Sequence, residues 1–122
     1  MKGFIISLML VIVVLSSCYY DIEEELYPPV GNCDAANASY SNMVLPLLQT
    51  NSCLGCHSGP APSGNILLDG YTNVRTVALS GKLYGSISHA AGFSPMPQGG
   101  NKMNACNLSK IKAWIDAGAP NN

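Results

Sequence analysis

Two cysteines and a histidine stand together in one short stretch of the chain, CLGCH at residues 53–57. Cys53 and Cys56 are three residues apart, so a helical turn places both thiols on the same side, and His57 follows directly. Thiols and imidazoles bind metal ions, and thiols also form covalent bonds to cofactors. The spacing therefore predicts a site that holds a metal or a prosthetic group.

Four interpretations of this motif differ in what completes it. Two thiols at this spacing can add to the two vinyl groups on one edge of a haem, and the adjoining histidine then faces the iron; this is the attachment signature of c-type haem. A structural zinc ion needs a fourth ligand, which Cys33, Cys106 or His89 could supply. A thioredoxin-like pair is expected after a strand, and a Cys53–Cys56 disulfide would be strained in a helix. An exported, helical chain favours the haem.

The N-terminus predicts export and lipidation. Lys2 precedes an apolar run at residues 3–15, which is short for a membrane span, and LSSC follows at residues 15–18. This ending resembles the lipobox of bacterial lipoprotein signal peptides, so we expect residues 1–17 to be cleaved and Cys18 to carry lipid. The alternatives are an ordinary secretory signal or an uncleaved anchor, with Cys18 incidental.

The predicted mature chain has two parts. Residues 18–32 form a lipid-anchored linker with an acidic run and two adjacent prolines, and residues 33–122 form the folded domain. In the domain, five basic side chains against three acidic ones leave a net charge of +2, which does not suggest nucleic acid as a partner. The expected location is the bacterial cell envelope, on a periplasmic or outer surface, with the membrane contacted through the lipid.

Hydrophobic periodicity predicts an all-α domain with long loops. Helical patterns occur at residues 41–51, 72–81, 83–88 and 108–117. Pro46 is expected to kink the first helix or to lie in its first turn, and Trp114 is expected to pack inside the domain. Only residues 65–71 look extended. About ninety residues bury a modest core, so a large apolar cofactor or a cross-link would help to stabilise it.

A methionine between two prolines predicts the second ligand of the iron. Met96 lies in the sequence SPMP, where the prolines restrict the backbone and leave the thioether little freedom to move away. Methionine and histidine ligation raises the reduction potential of a haem, which suits electron transfer. The alternatives are that Met96 only fills the core, or that His89 is the ligand instead. Met103 is a poorer candidate because its sequence neighbours are polar.

These motifs together resemble the small class I monohaem cytochrome c domains of bacterial lipoproteins. The resemblance covers about residues 39–120, from PLLQTNSCLGCHSG through SPMPQGG to KIKAWIDAGAP. It implies a cytochrome c-like fold, with three to five helices around a covalently attached haem. It further implies His57 as the proximal iron ligand and Met96 as the distal one, on opposite haem faces. Tyrosine, tryptophan and arginine often hold the haem propionates in this family, and the candidates here are Tyr71, Arg75 and Tyr84.

Two cysteines of the domain lie outside the haem motif. Cys33 and Cys106 stand near its two ends, and a disulfide between them would close a long loop and add about 2–4 kcal/mol to the stability. The alternative is two free thiols, which are unusual outside the cell. The ordinary class I pattern has no such pair, so the resemblance does not support it.

The expected function is that of a membrane-tethered monohaem c-type cytochrome, which carries one electron at a time between transient protein redox partners. We expect no enzyme activity, because the sequence offers no evident nucleophile, general base or small-molecule substrate site, and a six-coordinate iron has no open position. The alternatives are a haem-based redox or gas sensor, in which Met96 dissociates, and a haem-free interaction module held by zinc or a disulfide.

Overall fold

The computed structural model describes residues 33–122, which are helical and include no β-strand. The all-α class predicted from periodicity is confirmed for this part of the chain. The signal peptide, the lipidated Cys18 and the linker all lie outside the described residues. The described residues belong to one compact unit. No helix within residues 33–122 is long and apolar enough to cross a membrane.

Four α-helices build the described domain. They are α1 (Leu45–Thr50), α2 (Gly70–Leu79), α3 (Lys82–Ile87) and α4 (Ala105–Asp116). A π-helical turn, Tyr40–Val44, runs directly into α1, and 3-10 turns occupy Cys53–Gly55 and Ser63–Asn65. The two longest connections without an α-helix are those between α1 and α2 and between α3 and α4, and both contribute to the site described below.

The first helix changes its winding at a proline. Pro46 has no N–H, and in a regular helix its ring would meet the carbonyl four residues earlier. The chain avoids this with the wider π-helical turn, in which the Leu45 N–H donates to the Tyr40 carbonyl, five residues back. Pro46 then lies in the first turn of α1, which is one of the two positions that the sequence allowed.

The last helix supplies the largest buried side chain. Its first turn is capped by Asn104, whose side-chain oxygen accepts the Asn107 N–H at 2.8 Å. Trp114 is 0 % exposed, its Nε1 donates to the Pro120 carbonyl at 2.9 Å, and its ring centroid lies 5.9 Å from that of Tyr40. The expected packing role of Trp114 is thus confirmed, with the indole nitrogen satisfied by the chain that follows α4.

One hydrophobic core joins all four helices and the π-helical turn. Its buried members are Tyr40, Val44, Leu48, Leu68, Val74, Ala78, Leu83, Ile87, Met103, Ile111, Trp114 and Ala119. The end of the chain closes over this core, because the Tyr71 hydroxyl donates to the Ala119 carbonyl at 2.8 Å. The Ser41 N–H donates to the Asn122 carbonyl at 2.9 Å, which joins the last residue to the π-helical turn.

A disulfide links the start of the described chain to α4. Cys33 and Cys106 are 73 residues apart in sequence and their Cα atoms are 5.6 Å apart. The predicted pairing is therefore present. Cys53 and Cys56 are both free, so the motif does not contain a disulfide, and both thiols remain available for chemistry.

Candidate functional site

The two motif cysteines and His57 lie on one tight turn. The Cys53 carbonyl accepts the N–H of Cys56 at 3.3 Å and that of His57 at 3.1 Å. Ser52 enters the turn with a left-handed backbone, at φ 57°. Cys53, Cys56 and His57 all line the same cavity, as the sequence spacing predicts.

The imidazole of His57 is fixed by a hydrogen bond to the backbone. Its Nδ1 lies 3.0 Å from the Ile66 carbonyl oxygen, which can only accept, so Nδ1 carries the proton and Nε2 keeps its lone pair. The His57 carbonyl also accepts the Leu68 N–H at 2.7 Å, and the residue is only 9 % exposed. Among residues 33–122 nothing hydrogen-bonds Nε2. The tautomer and the position of His57 therefore suit a metal ligand.

The motif thiols differ in their exposure to solvent. Cys56 is exposed, whereas Cys53 is partly buried, and this burial raises the pKa of the Cys53 thiol, although a hydrogen bond from the backbone partly opposes the change. Cys53 is thus a neutral thiol at pH 7. Thiol–disulfide enzymes instead depress the pKa of their attacking cysteine, and they place it after a strand. The environment of Cys53 disfavours the thioredoxin-like interpretation.

The cavity that these residues line has a volume of about 610 Å³. This lies within the range of about 300–1,000 Å³ that is typical of small-molecule and cofactor sites. Its apolar lining comes from residues of two helices, α2 and α3, and of the two long loops: Ile66, Leu68, Val77, Leu83, Ile87, Phe93 and Met103. A space of this size and character suits a large, mostly apolar group and is far wider than a single metal ion requires.

Met96 lines the same cavity from the loop between α3 and α4. Its N–H donates to the Ser86 carbonyl at 3.0 Å, and its own carbonyl lies 3.0 Å from Nε2 of His89. The residue is half-buried although its immediate neighbours in sequence are exposed. The structure therefore brings Met96 to the cavity that holds the CLGCH motif, about forty residues away along the chain.

A second methionine also reaches the cavity. Met103 is 7 % exposed, belongs to the core, and is anchored by its N–H to the Ile87 carbonyl at 3.1 Å. The expectation of polar surroundings for Met103 was wrong, because it rested on the neighbouring residues Lys102 and Asn104. The residue is instead buried in a core formed by distant segments of the chain, which no local pattern predicts.

His89 does not line the cavity. Its Nε2 is engaged with the Met96 carbonyl, and its backbone has a left-handed φ of 56°. Of the two candidates for the second ligand, Met96 and not His89 therefore shares the cavity with His57.

The three residues expected at the propionates do not line the cavity either. Tyr71 donates to the Ala119 carbonyl, Arg75 is exposed on α2, and the ring of Tyr84 lies 6.0 Å from the amine of Lys112. The basic side chains that do line it are Lys82 and Lys102, and both are exposed. Sequence reasoning missed them, because a single lysine in a polar loop or at a helix start carries no distinctive pattern.

An aromatic ring closes part of the cavity against a glycine. Phe93 lines the cavity and is 39 % exposed, and its ring packs directly over the backbone of Gly85 in α3. A Cβ atom at position 85 would lie 2.5 Å from the ring carbons, which is closer than real Cβ contacts. Only glycine therefore permits this approach of the loop to α3.

The described residues lack the ligand set that the zinc interpretation requires. Within the described residues no three His, Cys, Asp or Glu side chains come together closely enough to hold a metal ion. Two of the three proposed fourth ligands, Cys33 and Cys106, are bonded to each other, and the third, His89, is turned to the Met96 carbonyl.

Comparison with known proteins gives no relative: no family model, no curated protein and no solved structure matches the chain. What the site can do is therefore argued from its own geometry.

Proposed function

We propose that residues 33–122 form a monohaem c-type cytochrome domain with a cytochrome c-like fold, which carries single electrons and is not an enzyme. The observation that carries this proposal is one cavity lined by Cys53, Cys56, His57 and Met96. The two free thiols would attach the haem, Nε2 of His57 would bind its iron, and the Met96 thioether would be the second axial ligand.

The residues present fit this cofactor in two respects. The cavity is wide and mostly apolar, which suits a porphyrin. The hydrogen bond from Nδ1 of His57 to the Ile66 carbonyl leaves Nε2 unprotonated and makes it a stronger electron donor. A haem supplies one-electron chemistry when bound, and the protein sets its potential and its access to partners. A thioether ligand favours the reduced state and therefore a higher potential.

Two lysines are our candidates for the propionate groups of the cofactor. Lys82 stands at the start of α3 and Lys102 in the loop before α4, and both line the cavity while remaining exposed. Exposed ion pairs of this kind are worth about 0.2–1 kcal/mol each, so they would orient the carboxylates more than they would stabilise the complex.

The lipidated Cys18 and the linker of residues 18–32 remain our proposal for how the domain is held. Lipid on the first mature residue would keep the domain at a membrane of the bacterial cell envelope, on a periplasmic or outer surface. The partners would be redox proteins, met in small and transient encounters.

The test of this proposal is covalent haem. The full chain, produced in a host competent in cytochrome maturation, should stay coloured on a denaturing gel and show sharp α and β bands when reduced. The double variant Cys53→Ser/Cys56→Ser should lose both signals. The matched double variant Cys33→Ser/Cys106→Ser also removes two cysteines, but it should retain the colour and the absorption bands, because that disulfide lies outside the motif. A colourless wild-type protein would falsify the proposal.

The second axial ligand is tested by the two methionines of the cavity. The oxidised protein should show the weak far-red band of methionine bound to ferric haem. We expect Met96→Leu to remove this band and Met103→Leu, the matched control, to retain it. The reverse result would transfer the ligand role to Met103, and the absence of the band from wild type would reject methionine ligation.

A further inference from the structure

We propose that His89 is a positioning residue that keeps the Met96 thioether on the iron; this inference rests on the proposed function. It acts through a hydrogen bond to the Met96 backbone and not through the metal. The consequence is a slower opening of the sixth coordination position, and hence a protein that passes electrons and excludes small ligands.

The first step is the hydrogen bond itself. Nε2 of His89 lies 3.0 Å from the Met96 carbonyl oxygen. A carbonyl can only accept, so Nε2 carries the hydrogen and donates it. Because Nε2 carries the hydrogen, it has no free lone pair for a metal, and His89 does not line the cavity. In this position His89 holds the Met96 backbone and does not compete with Met96 for the iron.

The second step is that Met96 has few other means of being held. Pro95 and Pro97 have no N–H to donate, so within residues 95–97 the only backbone donor is that of Met96. This N–H is bonded to the Ser86 carbonyl at 3.0 Å. Among the described residues, the Met96 carbonyl has no hydrogen-bond partner other than His89. Both polar groups of the Met96 backbone are thereby attached to the end of α3.

The third step is that His89 is itself fixed. Its N–H donates to the Ser86 carbonyl at 3.2 Å, the same oxygen that accepts the Met96 N–H. Its backbone adopts a left-handed φ of 56°, a conformation in which histidine, asparagine and aspartate are enriched among the residues other than glycine. This turn after α3 directs the imidazole back along the loop toward Met96. The left-handed backbone of His89 thus accompanies the hydrogen bond of its ring to the Met96 carbonyl.

The experiment measures how fast the sixth position opens. Carbon monoxide binds the reduced protein only after the methionine has dissociated, so its saturating rate reports that opening. His89→Asn keeps a residue that tolerates the left-handed backbone but is too short to reach Met96. Loss of one hydrogen bond of ordinary strength should raise the rate roughly two- to tenfold. His89→Gln, which has an amide donor and a longer reach, should recover part of the difference.

The matched control is Ser88→Ala. The Ser88 hydroxyl donates to the Tyr84 carbonyl at 2.7 Å, next to His89 in sequence, and does not contact Met96. This variant should weaken the end of α3 by a similar amount yet leave the carbon monoxide rate unchanged. If the carbon monoxide rate rises as much in Ser88→Ala as in His89→Asn, His89 acts only by stabilising the end of α3, and the proposal is overturned.

The other outcomes separate this inference from the function it depends on. Unchanged carbon monoxide rates in His89→Asn and His89→Gln, with haem attached and the far-red band present, would overturn only the role of His89. A wild-type protein that lacks the far-red band would overturn Met96 ligation and this inference together. Should His89→Asn fail to fold, His89→Gly takes its place, because glycine tolerates the left-handed backbone and carries no donor. An unchanged carbon monoxide rate in His89→Gly would overturn the role of His89.

Discussion

The two sides of the cavity are held in different ways. On the motif segment, residues 52–68, His57 is bonded through its ring to the Ile66 carbonyl and through its own carbonyl to the Leu68 N–H. On the methionine loop, residues 89–103, Met96 is attached only through its backbone, and its side chain has no hydrogen-bonding group to fix it. The motif segment closes on itself over a few residues, whereas the methionine loop depends on α3.

This difference indicates which ligand of a bound haem would be permanent. His57 is buried and its ring is immobilised, and the adjoining cysteines would add covalent bonds. Met96 is half-buried on a loop whose other residues are mostly exposed. Segments with few buried contacts and exposed hydrogen bonds open at low free energy. The site thus combines a fixed side with one that can be tuned, and the predictions below test that asymmetry.

The largest effect is expected from removing the ligands one at a time. His57→Ala should abolish most haem incorporation, because the fixed side loses the residue that we propose as its iron ligand. Met96→Ala should keep the haem attached but lower the reduction potential by an amount on the order of 0.1–0.3 V, since axial ligation sets haem potentials over about 0.8 V. Spectroelectrochemical titration of both variants measures this. An unchanged potential in Met96→Ala would exclude Met96 and make His89 or Met103 the candidate.

The next effect concerns the disulfide beside the methionine loop. Cys33→Ser/Cys106→Ser should lower the free energy of unfolding by about 2–4 kcal/mol, because the cross-link closes a long segment of chain. Since Cys106 lies in the first turn of α4, just after the loop, hydrogen exchange should accelerate at the Met96 and Met103 amides. Exchange at the Leu68 amide, on the motif segment, should change least. Equal acceleration on both sides would contradict the asymmetry.

A smaller effect is expected where the methionine loop meets α3. Gly85→Ala places a Cβ against the Phe93 ring, so the ring must move, at a loss of about 1–3 kcal/mol. Phe93→Ala is the matched control, and in the double variant the added methyl group no longer meets a ring. Chemical denaturation of the wild type, the two single variants and the double variant gives the coupling free energy between positions 85 and 93. If the losses of the two single variants add, the contact does not hold the loop in place.

The smallest effect is expected from the two lysines. Lys82→Gln and Lys102→Gln should each lower the potential by less than the equivalent of about 1 kcal/mol, because exposed charges are well screened. The shift should shrink as salt is added. Lys110→Gln, which removes a charge that does not line the cavity, is the control. A shift of the same size in Lys110→Gln would show that only overall charge matters.

Local patterns predicted the motif segment well and the methionine loop poorly. The spacing of Cys53, Cys56 and His57 acts within a single turn, so their grouping could be predicted from the sequence. The helical periodicity located all four helices within a few residues, because each buries one face. The last helix begins at Ala105, three residues before the predicted start, because Asn104 is its capping residue and several nearby polar residues suit that position equally by type.

The methionine loop depends on contacts between distant residues, which a sequence does not display. Met103 is buried in the core and its N–H bonds the Ile87 carbonyl, and Nε2 of His89 bonds the Met96 carbonyl seven residues later. Neither has a spacing or a composition that could have indicated it. The assignments of Tyr71, Arg75 and Tyr84 came only from resemblance, and their positions away from the cavity illustrate the limit of transferring roles by residue type.

The stacking of Phe93 on Gly85 has a consequence for how this domain can vary. A glycine inside a helix lowers stability by roughly 0.5–1 kcal/mol relative to alanine, so drift alone would tend to replace it. Here a replacement at position 85 forces the ring at position 93 to move, and that cost disappears once the ring is absent. In any lineage that carries the domain, we therefore expect the two positions to change together more often than independently.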